Sequence, residues 1–332
     1  MHPLCTFDSK GRNRSVDAGT PHPLRPAARW QTEPMRIAFL GTGRMGTELA
    51  LRLIPDHDLT VWNRTAGRTA RLAEAGAAVA DTAAAAVEGA DLVVTSLFGP
   101  DAVQETVIGP GLIPAGVPWV DTTTVSPADA EGYAAVVPTY VAVPVVGSLG
   151  PARRGALGVY VGTPDEALRA RVLELVAPWA DPERLWCVDS ARKAATGKLL
   201  ANLALAVSAQ GLREALALGE ATGTSAEETL DMLSGTGLGV IAGIKGPFVR
   251  GDRSTAGGDL TANAIAKDAR LMIDTVEGTA DGAASDDAGP RPGADLPALR
   301  AALASLDAEI AAGHGEDDFS TILLEEAART GE

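Results

Sequence analysis

Histidine, cysteine and aromatic residues are all scarce in this chain, and each shortage removes a class of chemistry. Only four histidines, His2, His22, His57 and His314, occur among 332 residues. Histidine is the commonest general acid or base, so proton transfer in an enzyme built on this chain falls to another side chain. Two cysteines, Cys5 and Cys187, are too few for a disulfide framework or a multi-cysteine zinc or iron–sulfur site, and no metal site is expected. Aromatics make up 4% of the chain, which leaves Ala, Val and Leu to build the core. Basic residues are outnumbered 28 to 43, for a net charge of −15 and a pI near 4.7. That balance argues against a general binder of nucleic acid or anionic membranes. No apolar run is long enough to span a bilayer, so a soluble, cytoplasmic protein is expected.

The first 34 residues differ from the rest. They hold five of the 21 prolines and five Lys/Arg against three Asp/Glu, which leaves 23 basic and 40 acidic residues in the remainder. No unbroken apolar segment marks a signal peptide, and residues 1–34 read as a disordered leader ahead of Met35. From Met35 the chain alternates β-rich runs with Ala/Leu-rich stretches. Strand candidates are Arg36–Leu40, Leu59–Trp62, Leu92–Ser96, Trp119–Asp121, Tyr140–Pro144 and Leu157–Val161, with helical segments at Arg44–Leu53, Ala66–Glu74 and Pro100–Val107. Such alternation predicts a parallel, doubly wound α/β sheet of the Rossmann type over residues 35–189. Strand signals then stop. Ser190 to about Ala221 reads as one long interdomain helix, with Asp189 or Ser190 as its N-cap and Gly223 just past its end. Residues 190–330 read as an all-helical domain, interrupted by a Gly/Ala/Asp/Pro loop near Glu277–Asp295.

The segment from Met35 to Gly46 places a GxGxxG turn, Gly41, Gly43 and Gly46, between a buried strand and a helix. Gly41 suits the tight turn, Gly43 lets a pyrophosphate approach the backbone, and Gly46 permits close helix–strand packing. Amides at the new helix N-terminus then receive the anion. A plain structural turn is the alternative, but strand, helix and next strand all fall where a βαβ unit needs them. An NAD site usually carries Asp or Glu about 20 residues on, for the ribose hydroxyls. This chain has Asn63, Arg64 and Thr65 there, which suit a phosphate, with Arg68 one turn later; NADP is preferred and NAD remains open. A solvated basic turn is the competing account of these residues.

These motifs resemble those of the β-hydroxyacid dehydrogenase family, the group containing 3-hydroxyisobutyrate dehydrogenase and several semialdehyde reductases; imine reductases and 6-phosphogluconate dehydrogenase share its fold. The resemblance runs from Met35 to about Leu323. Gly41-Thr42-Gly43-Arg44-Met45-Gly46 is similar to the family's GxGxMG, and Asn63-Arg64-Thr65 to its NADP-type turn. Asp121 to Pro127 resembles the D-x-S-T-x-x-P substrate loop, with Thr123 in place of the serine. The next motif survives partly: Gly147 is kept, while Ala142, Val146 and Ser148 replace an acid, a serine and a glycine. Those changes put the usual 3-hydroxy-acid substrate in question. Asp189 to Asn202 keeps the family's lysine, Lys198, and final asparagine, Asn202, although its glycines have changed. Lys267-Asp268 and the run from Gly313 to Ser320 resemble two C-terminal motifs.

The resemblance implies hydride transfer between nicotinamide and a small hydroxy acid or aldehyde, with Lys198 as general acid/base and Asn202 orienting it or the reacting oxygen. It implies that Thr123, Gly147 and Ser148 hold substrate, and that Leu97, Phe98, Thr123 and Lys267 join the glycine loop and the Asn63–Thr65 turn in binding cofactor. It also implies a homodimer. Read from the residues alone, Lys198 better suits a surface lysine on an amphipathic helix, and only the family position favours the catalytic reading. If it is desolvated on this Ala/Leu-rich helix, its pKa falls from about 10.4 toward working pH. Lys267 lines the nicotinamide pocket or pairs with Asp268 or Asp274. His314 and the acids after it read as capping and solvating a turn, and Cys187 as a small core residue. Two rivals stand beside the dehydrogenase reading. One is an imine reductase, whose members typically lack the lysine. The other is a non-catalytic dinucleotide-binding scaffold.

Overall fold

The structure, a computed structural model, describes residues 34–278 and 295–324. The expected leader (residues 1–34) and the Glu277–Asp295 loop lie almost entirely outside those residues. The chain divides into two compact units, one ending at Lys198 and the other beginning at Leu199.

The first unit opens with β1 (Arg36–Leu40), α1 (Arg44–Leu51), β2 (Asp58–Trp62), α2 (Ala70–Glu74), β3 (Ala78–Val79), α3 (Ala83–Val87) and β4 (Leu92–Thr95). It continues through α4 (Pro100–Val103), β5 (Trp119–Asp121), α5 (Pro127–Val136), β6 (Tyr140–Ala142), β7 (Val145–Val146), α6 (Leu149–Arg154), β8 (Leu157–Gly162), α7 (Glu166–Val176) and β9 (Ala180–Val188). Strands run in the order β3-β2-β1-β4-β5-β6, all parallel, which is the doubly wound arrangement expected. The expectation of a wholly parallel sheet needs correcting at the far edge. There β8 pairs antiparallel with both β6 and β7, and β9 returns parallel to β8.

Both faces of the sheet are covered, and β1 shows how. Ile37 and Phe39 enter one apolar cluster with Leu49, Val94 and Val172, while Ala38 and Leu40 enter another with Val93, Trp119 and Tyr140. A strand apolar on both sides is what a helix-covered parallel sheet requires. Local signals fix the helix starts. Pro127 opens α5 behind a Ser126–Asp129 capping box, and the Asp165 carboxylate accepts the Leu168 amide at the start of α7.

The helix α8 (Ala191–Ala221) runs across the division between the units. Ser190 Oγ accepts the Lys193 amide at 3.4 Å, so Ser190 is the cap of the two candidates. Gly223, with φ +78°, follows the helix end as expected. The second unit adds α9 (Ala226–Leu233), α10 (Gly239–Val249), α11 (Ala262–Gly278) and α12 (Pro297–Glu309). Leu212, Ile265, Met272, Leu299, Leu306 and Phe319 share its core.

Candidate functional site

At the end of β1 the three glycines of the turn do different things. Gly41 has φ +96°, and a Cβ there would lie 2.3 Å from the Ser96 carbonyl oxygen. A Cβ on Gly46 would lie 2.1 Å from the Gly41 carbonyl oxygen. Both glycines are therefore demanded by the protein's own backbone, where α1 starts against the ends of β1 and β4. Gly43 is not: a Cβ there would meet nothing within 4 Å. It is the N-cap of α1 and faces open space, as close approach of a pyrophosphate requires. Beside it Thr42 is buried, and its Oγ1 has no hydrogen-bond partner among the described residues. Buried hydroxyls are nearly always satisfied, so an orphan next to a helix N-terminus fits a missing anion. The residues present suit a dinucleotide.

The turn after β2 is tied to this loop. Asn63 Oδ1 accepts the Thr42 amide at 3.0 Å, and Asn63 Nδ2 donates to the Thr65 carbonyl at 3.0 Å. Asn63, expected as a phosphate donor, thus fixes the glycine loop to β2 and keeps a second Nδ2 hydrogen to donate. Arg64, Thr65 and Arg68 are exposed, as is Arg44 at the first position of α1. Met45 is half-buried against the core. The Arg64 guanidinium lies 3.9 Å from the Glu105 carboxylate, which belongs to the widened turn Gln104–Ile108 following α4.

One strand further on, Asp121 collects donors. It is 1% exposed and accepts from Thr95 Oγ1 at 2.7 Å, the Thr123 amide at 3.0 Å and Tyr140 Oη at 3.3 Å. Trp119 Nε1 in turn donates to Thr95 Oγ1 at 2.8 Å. Burial pushes the Asp121 carboxyl above its ordinary pKa, and hydrogen bonds from Thr123, Thr95 and Tyr140 offset this only in part. Burial, and then Asp121 itself, pushes the Tyr140 phenol well upward. Thr123, expected to donate to substrate, is buried, and its hydroxyl accepts the Leu97 amide at 3.0 Å. It thereby joins the loops after β4 and β5. Phe98 stands exposed beside them. Gly147, at φ +142°, is exposed, and Ser148 is the half-buried N-cap residue of α6. The sequence motif contained Asp121 without giving it a role.

The opening of α8 belongs to the first unit. A Cβ on Gly162 would lie 2.6 Å from both Ala194 Cβ and the Ser190 carbonyl, and one on Gly197 would lie 2.7 Å from the Tyr160 ring. The helix therefore lies close on β8, with Tyr160 stacked on Trp186 at 4.7 Å. Lys198 is half-buried there. Cys187 packs half-buried against the sheet core.

In the second unit Asn202 is 5% exposed, and its Nδ2 donates to Asp268 Oδ2 at 2.6 Å. Lys267 Nζ lies 2.6 Å from Asp268 Oδ1, so the sequence's two candidate partners resolve to Asp268. The sequence offered Asp268 as a partner of Lys267 but did not show that it also holds Asn202. Lys245 was missed altogether. It is buried on α10 with its Nζ 2.7 Å from Asp318 Oδ1 and 3.9 Å from the centre of the Phe319 ring. Of the acids after His314 read as solvated, Glu316 is exposed as expected, but Asp318 corrects that reading. Asp318 does cap a turn, accepting the Ser320 amide at 3.0 Å, but it is wholly buried because Lys245 neutralises it. Among the described residues no group of three or more His, Cys, Asp or Glu side chains could hold a metal ion.

Residues 36–187 match the NAD binding domain of 6-phosphogluconate dehydrogenase. The chain is similar to a solved 3-hydroxyisobutyrate dehydrogenase of Mycobacterium tuberculosis with L-serine: 25% identity, 87% of this chain and 98% of that one, TM-score 0.72. A 3-hydroxyisobutyrate dehydrogenase of Salmonella typhimurium shares 21% identity over 87% of this chain and 99% of its own, TM-score 0.69. An imine reductase of Myxococcus stipitatus with NADP+ shares 21% identity over 87% and 98%, TM-score 0.57. No curated protein sequence matches the chain.

Proposed function

We propose, from the premise that residues 36–187 belong to the NAD-binding domain family of 6-phosphogluconate dehydrogenase, that this protein is an NADP-dependent reductase or dehydrogenase of a small hydroxy acid or aldehyde. The chain is an NAD(P)-binding oxidoreductase related to the hydroxyacid dehydrogenases. The choice of NADP, the substrate and the catalytic lysine are the proposal. The observation that carries it is the glycine loop: open space at Gly43, an orphaned Thr42 hydroxyl, and Arg64 where an acid would hold a bare ribose.

The nicotinamide, when bound, supplies or accepts the hydride. The chain does the rest. Amides opening α1 and the Thr42 hydroxyl receive the pyrophosphate, and Arg64 receives the 2′-phosphate. Lys198 Nζ gives a proton to the carbonyl oxygen in reduction and takes it back in oxidation. Asn202, held by Asp268, orients the reacting group, and Lys267 serves the cofactor. Leu97 and Phe98 flank the cofactor, while Thr123, Gly147 and Ser148 form the substrate loops. Residues 190–330 serve as the substrate and dimerisation domain of a cytoplasmic homodimer, which light scattering tests at twice the chain's 33.9 kDa. No helix among the described residues is long and apolar enough to cross a membrane.

A second reading is imine reduction. It is favoured by Val146, half-buried where the resembled family carries a carboxylate-binding serine. One screen separates the readings: NADPH oxidation with semialdehydes, glyoxylate and cyclic imines. Turnover of an aldehyde supports the proposal, and turnover of imines alone moves it to the second reading. NADPH bound but never oxidised points to a scaffold.

A further inference from the structure

The corner that reads the cofactor's adenosine end contains a contact with no place in the scheme above. Arg64 follows β2, and its guanidinium lies 3.9 Å from the carboxylate of Glu105, contributed by a different strand–helix unit. Both side chains are highly exposed, at 85% and 70%. At those exposures the pair is held by charge and can open. An exposed pair of this kind is weak and does little for the fold. Its position gives it a different meaning.

A bare ribose offers hydroxyl donors, whereas a 2′-phosphate brings about two negative charges. The end of β2 lacks the acid that accepts from ribose hydroxyls in NAD sites, and Glu105 restores a carboxylate next to Arg64 from outside that segment. A carboxylate at that distance occupies the guanidinium a 2′-phosphate would need, and repels the phosphate itself. It does neither to NAD.

We infer that Glu105 is a cofactor-discriminating residue: it competes with the 2′-phosphate for Arg64 and holds the preference for NADP below what Arg64 alone would give. The inference rests on the proposal that Arg64 receives the 2′-phosphate.

The test is fluorescence titration of the full chain with NADPH and with NADH, on the parent, Glu105→Gln, Arg64→Gln and the double variant. Removing a competing exposed charge should tighten NADPH about two- to five-fold and leave NADH unchanged or slightly weaker. In the Arg64→Gln background only the direct repulsion of the phosphate remains, so the Glu105 substitution should tighten NADPH less than it does in the parent and leave NADH unchanged. Equal effects of Glu105→Gln on both cofactors, or none on either, overturn the role of Glu105. If Arg64→Gln leaves NADPH affinity untouched, the NADP reading itself falls, and the inference with it. Weaker NADPH in Arg64→Gln together with an inert Glu105→Gln removes only the inference. Both positions are exposed, so these variants should fold as the parent does.

Discussion

Two glycines in one six-residue turn should respond to the same substitution in opposite ways. Gly41→Ala forces a side chain into a left-handed backbone, 2.3 Å from a carbonyl oxygen. It should destabilise the protein by at least about 3 kcal/mol, seen as a lowered melting temperature. Gly43→Ala meets no neighbour and should leave the melting temperature within about 2 °C, while weakening NADPH binding at least tenfold in titration. The reverse pattern would mean that the open space beside Gly43 is not where the cofactor lies. Lys198→Ala makes a separate demand. Loss of the proposed acid/base should lower turnover by about 10²–10⁴-fold with NADPH affinity nearly unchanged. An active Lys198→Ala enzyme would give Lys198 the role of an ordinary helical lysine. At this scale spacing made the glycine turn and Arg64 stand out, because each lies in a short local pattern, whereas Lys198 stood out only through the family resemblance. The Asn202–Asp268 and Lys245–Asp318 contacts did not stand out, since their partners lie 66 and 73 residues apart and only folding brings them together.

Among the elements of the second unit, the Lys245–Asp318 pair joins α10 to the final turn of the described chain. Burial pushes the Asp318 carboxyl up, but the Lys245 ammonium and the Ser320 donors outweigh it and hold the carboxyl below its ordinary value. A carboxyl depressed in the folded state contributes stability above its unfolded pKa, near ~3.9, and that contribution is lost as pH falls through the folded value. Acid unfolding should therefore steepen below about pH 4, and Asp318→Asn should flatten that dependence. Lys245→Met leaves a buried charge unpaired and should cost about 3–5 kcal/mol in denaturant unfolding at neutral pH. Adding Asp318→Leu should recover much of the loss. Element by element, the central strands were readable from their apolar runs, and α8 from the Ser190 cap before it and Gly223 after it. β9 was not, since Asp181-Pro182-Glu183-Arg184 fills its first half, and neither was the direction of β8. Antiparallel pairing at a sheet edge is set by contacts that no local pattern encodes. The Ser126-Pro127-Ala128-Asp129 start of α5 was a visible capping box hidden within the substrate-loop motif.

Across the whole molecule, each unit closes its own apolar core: one unit has two layers about a sheet, and the other a helical cluster from Leu199 to Leu323. Separate cores permit separate melting, so calorimetry should resolve two transitions in the protein without cofactor. A ligand stabilises what it binds by RT ln(1 + [L]/Kd), about 2.7 kcal/mol at a hundredfold excess over Kd. NADPH should therefore raise the transition of the unit bearing the glycine loop by several degrees. A single transition unmoved by NADPH would contradict both the separation and the site. The donor chain around Asp121 has a different kind of consequence. Trp119 is fully buried, and its indole N–H leads through Thr95 to the carboxylate that also holds the Thr123 amide. Indole emission shifts with the polarity and hydrogen bonding around the ring, and Trp119 is one of only five tryptophans. The scarcity of aromatics thus leaves the protein with an optical gauge of its own, wired two links from the loop that the cofactor and substrate are proposed to share.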